Sequence, residues 1–133
     1  MATAKRPTSP HLQIYKWGPH MALSILHRTS GVALGGGTLL LAWWLISLAS
    51  GPEEYALFQR CMGSILGKIV LMGFTVALTL HMCNGIRHLF WDMGKGFEVE
   101  TTARSNIMVF MGTIVLTILS WVIGYGLLSG GNL

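Results

Sequence analysis

Three stretches of the chain carry no charged side chain: residues 29–52, 69–86 and 105–133. Between them lie short segments that hold the acids and most of the bases. A hydrocarbon core of about 30 Å is crossed by about 20 helical residues, and each stretch reaches or approaches that length. The middle one lengthens if Lys68 extends its ammonium to the interface along its own methylenes. The stretches are too long for the strands of an outer-membrane barrel and lack its period-two alternation. The pattern therefore predicts an all-α membrane protein with three transmembrane helices, at about 24–50, 64–90 and 105–129. Together with an arm over residues 1–23 they make a single membrane domain spanning 1–133.

Charge at the ends of the spans sets their direction. Lys5, Arg6, Lys16 and Arg28 precede or open the first span, and Arg87, Lys95 and Arg104 occupy the second loop. The first loop, roughly Gly51 to Gly67, holds Glu53, Glu54 and Arg60. Lysine and arginine mark the cytoplasmic side, and acids contribute little to that rule. The expectation is an up-down-up bundle with its N-terminus cytoplasmic. Tyr15, Trp17, Phe90 and Trp91 then fall at the inner interface, and Tyr55, Phe58 and Tyr125 at the outer one. The first 27 residues lack the apolar core and cleavage site of a secretory signal. A bacterial cytoplasmic membrane is the expected location, with the mitochondrial inner membrane as the alternative.

Composition agrees: 52% of the residues are hydrophobic and 11% are charged, against about 25% charged in soluble domains. The net charge of +4 sits at helix ends and not on a soluble face, which argues against a nucleic-acid partner. Cys61 and Cys83 are too few and too far apart for a metal framework, and both read as structural. Gly31 and Gly35, and again Gly63 and Gly67, show the small-xxx-small spacing of close helix packing; a face cleared for a flat cofactor is the sharper alternative. No segment is long enough to form a separate soluble domain, so any chemistry lies within or just beneath the bilayer.

His81 is the most informative residue. It precedes Arg87 by six positions, which is ~9 Å of helix. Ionisable residues at that depth are rare and face the bundle interior. A neutral imidazole there either bridges to a neighbouring helix or ligates iron. His88, seven residues on, shares nearly the same helical face. The layout brings Ser24, His27, Arg28, Arg87 and His88 to one level, with His81 about two turns deeper. A b-type haem fits this arrangement, its iron at His81 and its propionates toward the cationic rim, where arginine gives strong charge-assisted hydrogen bonds. An ordinary basic collar is the plainer account of the same rim. With no second histidine at that depth, the iron is either five-coordinate or takes its sixth ligand from another protein.

Three segments are Arg6-Pro-Thr-Ser-Pro-His-Leu-Gln-Ile-Tyr15, Ser24-Ile-Leu-His-Arg-Thr-Ser-Gly31 and His81-Met-Cys-Asn-Gly-Ile-Arg-His-Leu-Phe-Trp-Asp92. In this order the chain resembles the cytochrome b subunit family of succinate dehydrogenase, the larger membrane anchor of respiratory complex II. The third helix matches only as an apolar span. The resemblance implies that His81 is an axial ligand of haem b and that a second, smaller anchor subunit supplies the other. It implies that Ser24 and Arg28 line a ubiquinone site beneath an iron–sulfur subunit, and that His27, His88 and Arg28 lie near the haem propionates. FAD and the iron–sulfur clusters then belong to the flavoprotein and iron–sulfur subunits, with no succinate-oxidising site on this chain. The arm, through His11, Tyr15 and Trp17, faces the iron–sulfur subunit.

The side chains suit that role. A quinone gaining electrons needs donors where negative charge develops on its carbonyl oxygens. Ser24 can donate to a carbonyl, and Arg28 offers charge without losing its proton. The bland explanation is that Ser24 caps the first helix and Arg28 marks its end. The leading expectation is thus an electron-transferring subunit of succinate:ubiquinone oxidoreductase, with fumarate reductase as the close alternative. A haem-free structural anchor stands second. A proton or ion pathway ranks last, because the third span offers only Thr113, Thr117 and Ser120 as polar steps.

Overall fold

A computed structural model describes residues 16–130, with side chains as far as residue 127. The first resembling segment and the arm residues His11 and Tyr15 lie outside the described residues; Trp17 is exposed. The described chain is all helical, with α1 at Pro19–Ser50, α2 at Pro52–Gly63, α3 at Ile65–Asp92 and α4 at Val99–Gly130. Three of these, α1, α3 and α4, are long and apolar enough to cross a membrane. Each begins or ends beyond the charge-free stretch that announces it, because a helix stays helical where it leaves hydrocarbon.

The start of α1 removes one explanation for Ser24. Gly18 occupies the N-cap position and Pro19 the first turn, where a missing N–H costs nothing. Ser24 lies inside the helix and caps nothing.

The first loop is itself a helix. Gly51, at φ 118° and ψ −179°, adopts a conformation open essentially only to glycine and turns the chain out of α1. Pro52 opens α2, Glu53 and Glu54 follow in its first turn, and Arg60 sits in its last, each on the side that suits the helix dipole. Phe58 meets Trp43 edge-on, centroids 4.9 Å apart, and holds α2 against α1. Ser64 then starts α3: its hydroxyl accepts from Gly67 N–H at 3.1 Å and donates to the Cys61 carbonyl at 2.6 Å.

At the other end of α3, Gly94 (φ 73°) terminates the helix. Lys95 N–H donates to the Phe90 carbonyl and Gly94 N–H to that of Trp91, the paired bonds of a Schellman ending. The Gly96 carbonyl accepts from Trp91 Nε1 and from Thr102 Oγ1, which ties the turn to the start of α4.

The bundle is polar inside and apolar outside. Apart from Leu23, Leu80 and Val109, the buried side chains include Ser30, Ser47, Thr79, Asn84, Arg87, Asn106, Thr113 and Thr117. Leucine, isoleucine and valine are exposed along all three long helices. Lipid is as apolar as leucine, so helices in a membrane associate through close packing and interhelical hydrogen bonds. Thr79 and Thr117 share a bond at 2.9 Å, and Trp121 Nε1 donates to Thr75 Oγ1 at 3.2 Å. The spaced glycines divide. A Cβ on Gly31 would meet the His81 ring and one on Gly67 the backbone of Cys61 and Met62, whereas Gly35 and Gly63 face open space. Gly37 is the tightest approach of helix to side chain, against Phe74.

Candidate functional site

Helix α3 packs against both α1 and α4, so its residues reach two neighbours. Its α1 side carries the histidines. The ring of His81 stacks on that of His27 with centroids 4.0 Å apart and planes 14° from parallel. His27 also meets His88, at 5.1 Å and 31°. His27 therefore lies between the other two imidazoles, in contact with His81, and not two turns from it as the charge boundaries suggest. Arg28 lies well inside α1, which starts at Pro19, and the His27 backbone itself stands beside His81.

One nitrogen of His81 is fully engaged. Its Nδ1 lies 3.2 Å from the main-chain carbonyl of His27 and 3.1 Å from Ser30 Oγ. A carbonyl only accepts, so the proton sits on Nδ1 and the lone pair on Nε2. Ser30 turns its own O–H to the same carbonyl at 2.8 Å, leaving its oxygen to accept from the imidazole. A carbonyl holding the far N–H is the usual second contact of a metal-bound histidine, fixing both tautomer and ring orientation. Gly31 makes the close approach possible: a Cβ there would stand 3.2 Å from His81 Cε1. The three rings are stacked and not convergent, and the described residues contain no cage of three or more ligands for a bare metal ion.

Arg87 turns towards α4. Six residues beyond His81, it is turned about 240° around the helix at 100° per residue, and it faces α4. One of its Nη groups donates to Asn106 Oδ1, and its Cζ stands 4.5 Å over the Trp91 ring. Asn106 Nδ2 in turn donates to His20 Nδ1 at 2.7 Å, so one amide joins the ends of α1, α3 and α4. Arg87 bonds to α4 while His27 and His81 stack between α1 and α3, and Trp91, beneath the guanidinium and edge-on to His88, lies between the two. Asn84, fully buried at 0% exposure, sits on α3 between His81 and His88.

Ser24 and Arg28 are one turn apart on α1, hence on one stripe of it. Ser24 is half-buried and Arg28 exposed, and neither makes a side-chain hydrogen bond among the described residues. Ser30, Asn84, Asn106 and His20 are absent from the candidates drawn from sequence. For Ser30, Asn84 and Asn106 the signal is a polar side chain inside an otherwise apolar span, which in a membrane calls for a partner; His20 lies before the first such span.

Three apolar spans, a polar seam and a histidine cluster between two helices define a multi-pass membrane protein. The profile of the family described as succinate dehydrogenase/fumarate reductase transmembrane subunit matches residues 2–120. The succinate dehydrogenase cytochrome b556 subunit of Rickettsia felis is 48% identical over 118 residues, covering 89% of this chain and 92% of that one. Its counterpart in Paracoccus denitrificans is 38% identical over 118 residues, 89% of this chain and 91% of that one. The mitochondrial cytochrome b560 subunit of Mus musculus is 41% identical over 120 residues, 89% of this chain and 69% of that one. The chain belongs to the succinate dehydrogenase/fumarate reductase transmembrane subunit family.

Proposed function

We propose that the chain is the haem b-binding membrane anchor of a succinate:ubiquinone oxidoreductase, with His81 as an axial ligand of the iron. The observation that carries this reading is the pair of oxygens held against His81 Nδ1. The Nδ1–H is held by the His27 carbonyl and Ser30, while Nε2 has no hydrogen-bond partner among the described residues. The donor set fits the group: an oriented imidazole, a second one in His88 on the same face, and a glycine that clears the ring edge. The cytochrome b names of the bacterial and mitochondrial relatives support it. A haem b bound there would accept and release single electrons. His81 is half-buried, consistent with a second anchor subunit supplying the other ligand from outside this chain.

Quinone reduction is assigned to the stripe of Ser24 and Arg28. The Ser24 hydroxyl donates to a ubiquinone carbonyl, and Arg28 keeps a permanent positive charge beside the oxygen that gains electron density. Arg28, His27 and His88 lie toward the propionate side. FAD and iron–sulfur chemistry stay on the flavoprotein and iron–sulfur subunits. The relatives in Rickettsia and Paracoccus favour a bacterial inner membrane. Contacts that rise along α1 as they fall along α3, Gly31 on His81 and Gly37 on Phe74, support the up-down-up course, and the basic residues support a cytoplasmic N-terminus.

The test is His81→Tyr in the assembled complex, extracted in mild detergent. Loss or displacement of the Soret band and of the reduced-minus-oxidised spectrum is expected. Unchanged absorption and midpoint potential would overturn the assignment.

A further inference from the structure

A cleft of about 510 Å³ opens between α3 and α4. Its walls are apolar, with Ile86, Phe90, Met108 and Val109 along them, and its mouth carries Arg87, Lys95 and Thr101. The two cations are the informative part. Arg87 is only 7% exposed, yet its hydrogen-bond partner is a neutral amide and its other neighbour an aromatic ring. Its Nε is buried with no acceptor. Lys95 closes the same mouth, and the one ion pair among the described residues joins Arg104 to Glu100 elsewhere. No aspartate or glutamate lines the cleft; Asp92 ends α3 and Glu98 directly precedes α4.

A buried guanidinium without a counter-charge is costly in a medium of low dielectric. An apolar trough ending in two unpaired cations and a hydroxyl matches a molecule with a hydrocarbon tail and an anionic head. We propose that the cleft binds an anionic phospholipid, its phosphate between Lys95 and Arg87 and one acyl chain along Phe90 and Met108. The phosphate oxygens accept from the Lys95 ammonium and the Thr101 hydroxyl, and the Arg87 guanidinium lends its charge from the cleft wall. A zwitterionic lipid fits less well, because its own ammonium would add a third cation to the mouth. The cleft opens between α3 and α4, whereas the His27 and His81 rings stack between α1 and α3, so the proposal does not depend on the haem and quinone reading.

The test uses the delipidated complex in detergent, titrated with dioleoylphosphatidylglycerol or dioleoylphosphatidylcholine and read by native mass spectrometry. Wild type and Lys95→Ala are compared, so lipids on other subunits cancel. Phosphatidylglycerol should bind the variant about five-fold more weakly, the equivalent of the roughly 1 kcal/mol that one basic residue contributes at an anionic surface. Phosphatidylcholine binding should not change, and Lys95→Arg should restore the wild-type value. Because Lys95 is exposed, the melting temperature of the lipid-free complex should be the same in all three. Equal affinity for the two lipids, an unaltered phosphatidylglycerol titration in Lys95→Ala, or displacement of the lipid by ubiquinone or a partner subunit would each overturn the proposal.

Discussion

Removing one hydroxyl, by Ser30→Ala, tests how the His81 ring is held. In the native arrangement Nδ1–H is shared between Ser30 Oγ at 3.1 Å and the His27 carbonyl at 3.2 Å, and Ser30 braces that carbonyl at 2.8 Å. The alanine variant leaves one long acceptor in place of two. A neutral hydrogen bond contributes about 1 kcal/mol net, so haem should leave the variant complex about five-fold more readily. Changes in the contacts behind a metal-bound histidine run from roughly 10- to 100-fold in affinity; the effect here falls below that range because the backbone carbonyl remains. A less firmly held N–H also makes the imidazole a poorer donor to ferric iron, so the midpoint potential should rise. Haem transfer to excess apomyoglobin, followed at the Soret band, gives the off-rate, and a redox titration gives the potential. Ser30→Thr keeps the hydroxyl and should behave as wild type. If Ser30→Ala alters neither quantity, the tautomer argument fails.

Two further outcomes follow from the same geometry. Asn106→Leu leaves Arg87 buried without its acceptor and should destabilise the assembled complex by about 1.5–3 kcal/mol, measured as a lower melting temperature; Arg87→Met with Asn106→Leu should recover part of the loss, because no unpaired cation then remains. Arg28→Leu should lower succinate:ubiquinone turnover while succinate oxidation by a soluble artificial acceptor persists, and equal loss of both would point to failed assembly instead.

The three spans are legible because lipid forbids charge over about 20 residues and the sequence shows where charge stops. Helix α2 escapes that signal: it is short, carries three charged residues, and is marked only by Pro52, the two acids after it and Arg60 near its end. The importance of His81 is readable from its depth, and the face of Arg87 from counting six residues around the helix. The level of His27 is not, since charge boundaries do not fix the height at which two helices pack, and the His27 carbonyl itself stands beside His81 Nδ1. Ser30 and Asn84 stay hidden for a related reason. A hydroxyl or an amide leaves a stretch uncharged, and only the packing shows which of them faces a partner.

The hydrogen bonds from α3 to its neighbours also bear on bilayers of different thickness. Arg87 with Asn106, Thr79 with Thr117, Thr75 with Trp121 and His81 with Ser30 are spaced along the helix at fixed heights. Sliding α3 by one turn, ~5.4 Å, would part all four of these pairs. Mismatch with a thinner or thicker membrane costs only fractions of a kcal/mol per Å, too little to work this ratchet. The bundle should therefore answer such a change by tilting as a unit, and the imidazoles should keep their height relative to one another.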